Sequence, residues 1–208
     1  MAHIVLIGDS IFDNAAYVPR GEDVISHLKK QLPKDWKVTL LAKDGSAVED
    51  VYRQLSLIPK DATHLVLSAG GNDALMVSDI LTRPAISFAE VLNELANIGE
   101  QFENNYVSLL RAIRNKGLRT VACTIYYPNI QDAFTQRIAC TALTVFNDAI
   151  IRAVFDNSMI LIDLRLLCNE ARDYANEIEP SSSGSKKIAD MIFNVVSRHP
   201  YKVFTEIT

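Results

Sequence analysis

The chain has 208 residues, of which 49% are hydrophobic and 22% are charged. This length suits one large domain, and this composition excludes a disordered or fibrous protein. The 21 basic and 25 acidic residues give a net charge of −4, which argues against nucleic acid as a partner because nucleic-acid-binding proteins concentrate basic residues on one surface. No unbroken apolar run approaches the ~18 residues of a bilayer-spanning helix. We therefore predict a single domain over residues 1–208 with no membrane span.

The three cysteines indicate a reducing environment. Cys123, Cys140 and Cys168 are odd in number and widely spaced, so they predict neither a disulfide framework nor a metal site. Residues 1–7 also lack the basic lead, long apolar region and cleavage site of a signal peptide. These features predict a cytoplasmic protein with buried, reduced thiols.

Short apolar segments alternate along the chain with segments of helical periodicity. The apolar segments are rich in β-branched residues and nearly continuous in apolar residues, which is typical of strands buried on both faces. In chain order they predict strands at 3–7, 36–42, 63–69, 118–125 and 159–163. The intervening and final segments predict helices at 22–32, 48–57, 88–116, 132–155 and 183–197. This alternation predicts an α/β protein in which helices cover both faces of a five-stranded parallel sheet.

Small and polar residues follow the predicted strands. Because parallel strands joined by right-handed crossovers have their carboxyl ends at one edge of the sheet, these residues are expected to lie together, where open α/β sheets bind ligands. In chain order the segments are Gly8-Asp9-Ser10, Lys43-Asp44-Gly45-Ser46, Gly70-Gly71-Asn72-Asp73, Tyr126-Tyr127-Pro128-Asn129 and Asp163-Leu164-Arg165.

The first three of these segments have the residue types that acyl chemistry needs. A serine on a tight turn after a strand exposes its hydroxyl at the sheet edge, and Asn72 can donate its amide to a developing oxyanion. Gly45 lacks a side chain that would block access to its N–H group. Each segment alone is more often an ordinary turn. Their order after strands one to three predicts an oxyanion hole formed by Ser10, Gly45 and Asn72.

These segments resemble the sequence blocks of the SGNH (GDSL-type) hydrolases. Gly8-Asp9-Ser10 resembles the nucleophile block, Gly45 the glycine block, and Gly70-Gly71-Asn72-Asp73 the Gly-x-Asn-Asp block. The resemblance extends from residue 4 to about residue 196. It implies a three-layer α/β/α flavodoxin-like sandwich, with Ser10 as the nucleophile and Gly45 and Asn72 in the oxyanion hole. It also implies hydrolysis of esters of lipids, acetylated sugars or small alcohols without a cofactor.

The last block of the family departs from its pattern in this chain. The family has Asp-x-x-His before a proline, whereas the chain has Asn176-Glu177-Ile178-Glu179-Pro180. Asn176 therefore takes the aspartate position and Glu179 the histidine position. The four histidines, at positions 3, 27, 64 and 199, are expected to lie away from Ser10, on the far ends of strands or on helices. Glu179 is then either an atypical, weak general base or a carboxylate placed at the start of the last helix.

The predicted function is hydrolysis of a small-molecule carboxylic ester through an acyl-serine intermediate, with Ser10 and Glu179 as the catalytic residues. Asp9, Asp73 and Asn176 are expected to support this site, and no metal is assigned. The alternative is a pseudoenzyme of the same fold that binds an ester or carboxylate without turnover.

Other charged and aromatic residues leave alternatives open. Asp9, Asp73 and Asp163 form with Glu179 a weak pattern for a hard cation, whereas Asp73 and Asp163 equally suit a role in orienting neighbouring loops by accepting main-chain N–H bonds. Two arginines, Arg165 and Arg172, suit either an anionic substrate group or ion pairs. Four tyrosines suit either a substrate pocket or half-buried packing: Tyr17, Tyr126, Tyr127 and Tyr174.

Overall fold

Five parallel strands form the centre of the protein, in a computed structural model that describes residues 2–198. The strands are β1 (His3–Gly8), β2 (Lys37–Leu40), β3 (His64–Ser68), β4 (Arg119–Cys123) and β5 (Ile160–Ile162). All five strand predictions are confirmed. Four of the observed strands are shorter than predicted because an apolar run continues into the connection that leaves the sheet.

The strands lie in the order β2-β1-β3-β4-β5, and every pair of neighbours is parallel. This is the order of doubly wound, flavodoxin-like sheets, in which a ligand site lies at the carboxyl edge near β1 and β3. The carboxyl ends of β1 and β3 are in register, with Gly8 opposite Ser68. The fold therefore brings the segments after these two strands side by side.

Within residues 2–198, seven α-helices connect and cover the strands. They are α1 (Val24–Gln31), α2 (Val48–Leu55), α3 (Gly71–Met76), α4 (Phe88–Arg114), α5 (Ala133–Asp156), α6 (Leu164–Leu167) and α7 (Ser182–Ser197), with 3₁₀ turns at Ser78–Leu81 and Ala171–Asp173. The five predicted helices are confirmed. The sequence analysis missed α3 and α6 because helices of six and four residues are too short to show a period.

Apolar side chains fill both sides of the sheet. On one side α2, α4 and α5 pack on the strands and contribute Val51, Tyr106 and Ile150 to the core. On the other side α1 and α7 contribute Leu28 and Ile192. Successive side chains of a strand point to opposite faces, so the continuous apolar runs supply both cores. The predicted three-layer α/β/α architecture is confirmed.

Polar side chains fix where several helices begin. Asp23, Ser87 and Asp132 each accept a hydrogen bond from a main-chain N–H group in the first turn of α1, α4 and α5. Ser181 does the same for α7, where its Oγ accepts from the N–H groups of Ser183 and Gly184. These caps satisfy main-chain donors that have no partner inside the helix.

The cysteines are free thiols in the structure. Cys123 and Cys168 are buried, as predicted. Cys140 is only partly buried, because it lies on α5 near the surface.

Among the described residues, one helix, α5, is long and apolar enough to cross a membrane by length and composition alone. Its second half places Phe146, Ile150 and Ala153 in the core. The apolar residues of its first half, including Ile138 and Leu143, are only partly buried and line a cavity. The composition of α5 thus reflects two different environments along one helix.

Candidate active site

The connection after β1 lies against β3 because Gly8 has no side chain. Gly8 has a φ of +122°, and a Cβ atom there would lie 1.6 Å from the carbonyl oxygen of Ser68. The next N–H group, that of Asp9, donates to this same oxygen at 3.1 Å. Gln54 of α2 holds the Gly8 peptide through two hydrogen bonds, at 2.7 and 2.9 Å. These contacts place Ser10 at the carboxyl edge of the sheet.

The Ser10 hydroxyl donates a hydrogen bond to Oε1 of Glu179 at 3.0 Å, although the two residues are 169 positions apart. Glu179 is buried, with 5% of its surface exposed. Its second oxygen, Oε2, is also buried and has no hydrogen-bond partner among the described residues. Burial raises the pKa of Glu179 to about 7, against the lowering effect of the Ser10 hydrogen bond. A carboxylate with this pKa accepts protons near neutral pH.

Asn176 shapes the turn that carries Glu179. Its Oδ1 accepts hydrogen bonds from the N–H groups of Ile178 and Glu179, both at 2.9 Å. The N–H group of Ala175 donates to the carbonyl oxygen of Glu179 at 2.8 Å. Asn176 therefore supports the site through the main chain and does not contact the Glu179 carboxylate.

Asn14 joins the loop of Ser10 to the segment of Glu179, and the sequence analysis missed it. This fully buried side chain donates to the carbonyl oxygen of Pro180 at 3.3 Å and to the Ser185 hydroxyl at 2.7 Å. Its Oδ1 accepts from the N–H group of Val24 at 3.1 Å. No local pattern marks this asparagine, because its partners are distant in sequence.

Two of the predicted oxyanion donors, Asn72 and Gly45, lie on different elements of the fold. Asn72 lies in the first turn of α3, lines the same cavity as Ser10, and donates one amide hydrogen to the carbonyl oxygen of Ser46 at 2.9 Å. An amide has a second hydrogen to donate. Gly45 is exposed on the loop after β2, with a φ of +79°, and does not line that cavity. The structure thus brings Asn72 to the cavity that Ser10 lines, whereas Gly45 is not part of the cavity wall.

Asp9 and Asp73 form hydrogen bonds within the protein. Asp9 is 3% exposed, and its Oδ1 accepts from the Ser68 hydroxyl at 3.0 Å. Burial raises its pKa to about 7, and the charge of Glu179 adds to this rise. Asp73 accepts from the N–H group of Val48 at 3.0 Å and so orients the start of α2, and burial raises its pKa.

Asp163 and the two arginines form ion pairs. Asp163 accepts from the Thr124 hydroxyl and pairs with Arg165 at 2.6 Å, and Arg165 lowers the pKa of Asp163. Arg172 pairs with Glu170 at 2.5 Å. These contacts favour the ion-pair interpretation over a substrate-anion site. Within residues 2–198, no group of three His, Cys, Asp or Glu side chains is arranged to hold a metal ion.

The described histidines lie away from Ser10. His3 and His64 are the first residues of β1 and β3, at the opposite end of the sheet from the serine. His27 lies within α1. His199 falls outside the described residues, so its predicted position stays a prediction.

Two tyrosines hold the segment before Glu179. The Tyr126 hydroxyl donates to the carbonyl oxygen of Ile178 at 2.5 Å, and the Tyr126 ring meets the Tyr174 ring edge to face at 5.4 Å. The Tyr174 hydroxyl is within hydrogen-bond distance of the carbonyl oxygen of Tyr127, at 2.7 Å. Tyr126 also lines the cavity at Ser10. By contrast, Tyr17 is 36% exposed, and its hydroxyl donates to Asp44 Oδ2 at 2.7 Å.

The parallel sheet and the serine of a Gly-Asp-Ser turn at its carboxyl edge are features of three-layer α/β serine hydrolases. Residues 6–187 match the GDSL-like lipase/acylhydrolase family, and the chain belongs to this family. No curated protein matches the chain in sequence.

Solved structures share the fold at low sequence identity. The extracellular lipase of Streptomyces rimosus has a TM-score of 0.68 at 14% identity, with 95% of this chain and 100% of that chain covered. A lipolytic protein of the G-D-S-L family from Veillonella parvula has a TM-score of 0.71 at 17% identity, with the same coverage. Phospholipase A1 from Streptomyces albidoflavus has a TM-score of 0.68 at 14% identity, with 93% and 98% covered.

Proposed function

We propose that the protein hydrolyses a carboxylic ester through an acyl-serine intermediate on Ser10, with Glu179 as the general base. The observation that carries this proposal is the 3.0 Å hydrogen bond from the Ser10 hydroxyl to the Glu179 carboxylate. A nucleophile within hydrogen-bond reach of a base is the basic requirement of covalent catalysis. Lipases and a phospholipase are among the proteins of similar fold, which is consistent with an ester substrate.

In the first half of the proposed reaction, Ser10 Oγ attacks the ester carbonyl carbon while its proton passes to Glu179. The carbonyl oxygen becomes an oxyanion, which the Asn72 amide stabilises together with the N–H group of Ser10. Collapse of this intermediate breaks the bond to the alcohol oxygen. The alcohol leaves with the proton from Glu179, and the acyl group stays on Ser10.

In the second half, Glu179 takes a proton from a water molecule whose oxygen attacks the acyl-serine. The new oxyanion occupies the same donors, and its collapse breaks the bond to Ser10 Oγ. The serine recovers its proton from Glu179, and the carboxylic acid leaves. Every proton transfer uses the same carboxylate, so the proposed steps require only groups of this chain, the ester and one water molecule.

Burial makes Glu179 a better base than an exposed glutamate. An ordinary glutamate has a pKa of about 4.3 and accepts a proton weakly at neutral pH. The pKa of about 7 in this site brings the group close to the value of an imidazole, about 6.5. We propose that this shift compensates in part for the missing histidine.

The test is covalent labelling of Ser10 by a fluorophosphonate, together with the burst of p-nitrophenol from p-nitrophenyl acetate. We expect labelling and a burst in the natural protein and neither in Ser10→Ala. Ser108→Ala, a change of an exposed serine on α4, serves as the matched control and should behave like the natural protein. A folded protein that shows neither labelling nor turnover would instead support the binding pseudoenzyme.

A further inference from the structure

A cavity of about 440 Å³ extends from the candidate active site. Ser10, Asn72 and Glu179 line it on the side of the sheet edge. The rest of its wall comes from the 3₁₀ turn at Ser78–Leu81, the first half of α4, the first half of α5 and the loop that precedes α5. Its volume lies within the range of small-molecule sites, about 300–1,000 Å³.

The packing of α4 against α5 explains where the cavity closes. A Cβ atom on Gly99 would lie 2.4 Å from Val145 Cγ1, so the two helices approach closely at this point. One turn further, the rings of Phe102 and Phe146 are 4.8 Å apart. Phe146 is itself part of the cavity wall. The cavity therefore lies on the N-terminal side of a tight helix contact.

The wall of the cavity is mostly apolar. Among the described residues that line it, the only charged ones are Asp9 and Glu179, and both belong to the candidate active site. Leu75 and Phe134 line the cavity while 48% and 72% exposed, so apolar side chains also lie at its opening. The wall includes the following apolar residues of α4 and α5: Leu95, Ile98, Ile138, Ala139, Ala142 and Leu143.

We infer that this cavity binds the acyl chain of the substrate, and that the preferred esters carry fatty acyl chains of about eight to twelve carbons. This inference rests on the proposed function. Transfer of an alkyl chain from water to an apolar wall is favourable. A sugar in the same place would bury hydroxyl groups against a mostly apolar wall, which is costly where they lack hydrogen-bond partners. The polar ester group would stay next to Ser10, at the part of the wall that holds Asn72 and the two charged residues Asp9 and Glu179.

The size of the cavity sets the length of the chain. A methylene group occupies about the space of one liquid water molecule, about 30 Å³. The 440 Å³ cavity therefore holds at most about fifteen such groups. Part of this space belongs to the ester group and to the opening, which leaves room for a chain of about ten carbons.

The first experiment measures kcat/KM for p-nitrophenyl esters from acetate to palmitate. We expect kcat/KM to rise by up to about fourfold for each added methylene, to reach a maximum at eight to twelve carbons, and to fall for palmitate. A flat profile, or acetate as the best substrate, would overturn the acyl-chain inference while leaving ester hydrolysis intact. If no ester is cleaved, the proposed function fails. The melting temperature of Ser10→Ala with methyl esters then tests whether the cavity binds an acyl chain.

The second experiment shortens the cavity. Ala142→Phe adds bulk to the wall on α5, and we expect it to lower kcat/KM for decanoate at least about 30-fold more than for acetate. Thr141→Phe adds the same bulk at an exposed position of the same helix and should leave the profile unchanged. Ala142→Leu provides a milder variant if the phenylalanine does not fold. Equal losses for both esters in a folded variant would overturn the inference.

A binding measurement gives a readout that needs no turnover. In Ser10→Ala, we expect methyl decanoate to raise the melting temperature and methyl acetate at the same concentration to have no effect. Binding of the decanoate ester without hydrolysis by the natural protein would support the acyl cavity and contradict the proposed function. Equal effects of both esters would contradict the acyl cavity.

Discussion

The change of Glu179 to glutamine tests the general base and its burial at the same time. Glutamine has nearly the same shape and its Oε1 atom can still accept the hydrogen bond from Ser10, but an amide does not take up the serine proton. Removal of a general base typically lowers kcat by about 10²–10⁴-fold. We expect Glu179→Gln to lose activity within this range while Ser10 stays in place.

The same substitution should change how stability depends on pH. The pKa of Glu179 is raised from 4.5 to about 7 in the folded protein, so its contribution to stability is fully present below pH 4.5 and is lost as the pH rises through 7. At about 1.4 kcal/mol per pH unit, this loss amounts to about 3 kcal/mol. Glutamine does not titrate, so the difference in unfolding free energy should shift by about 3 kcal/mol in favour of Glu179→Gln between pH 4.5 and pH 8.

This shift is independent of the constant cost of the amide. The buried Oε2 of Glu179 has no partner among the described residues, so the new NH₂ group would lack an acceptor and cost about 1–3 kcal/mol at every pH. Asp9 titrates in the same range and is present in both proteins, and the part of its raised pKa that comes from the Glu179 charge is lost with that charge. The slope against pH, and not the stability at one pH, therefore reports on Glu179.

The assay combines urea unfolding at several pH values with kcat for p-nitrophenyl acetate over the same range. In the natural protein, kcat should rise about tenfold per pH unit below pH 7 and level off above it. Glu177→Gln removes an exposed carboxylate two residues away and should change neither measurement. The reasoning is refuted if Glu179→Gln keeps full activity, or if its stability relative to the natural protein is the same at pH 4.5 and pH 8.

Three further substitutions test the parts of the site and the fold around it. Asn72→Ala removes an amide donor beside Ser10, so kcat in steady-state ester hydrolysis should fall by about 10²–10³-fold; an unchanged kcat would remove Asn72 from the oxyanion hole. Gly8→Ala would place a Cβ atom 1.6 Å from a main-chain oxygen, so we expect insoluble or unfolded protein on expression. A native melting curve of this variant would contradict the tight contact. Asn147→Leu removes the partners of the N–H and carbonyl groups of Ile125, which lie at 2.8 and 2.9 Å from the Asn147 amide. We expect the unfolding free energy in urea titrations to fall by about 2–5 kcal/mol. A loss below about 1 kcal/mol would be too small for two broken buried hydrogen bonds.

The sequence predicted the sheet and the placement of Ser10 and Asn72 at its edge, because both follow from local sequence patterns. Each strand is a short apolar run, and parallel topology places the residues after every strand at one edge. That argument needs no long-range contact, so it brought Ser10 and Asn72 to the same side of the protein. It failed for α3 and α6, because one or two helical turns leave no periodic pattern.

The environment of Glu179 depends on contacts that the sequence does not show. Its alignment with the histidine position predicted a carboxylate near Ser10, but the hydrogen bond spans 169 positions. The burial that raises the pKa of Glu179 to about 7 comes from the folded surroundings. Asn14 and Gln54 also hold the site through partners that are distant in the chain. Such hydrogen-bond partners come together only when the chain has folded.

The cavity shows most clearly what the tertiary structure decided. The apolar periodicity of α4 and α5 is consistent with core packing alone, and the second half of each helix does pack in the core. In the first half, the same kind of apolar side chain lines an open space next to Ser10. Periodicity shows which face of a helix avoids water, whereas the angle and distance between two helices determine whether that face meets a neighbour or leaves a cavity.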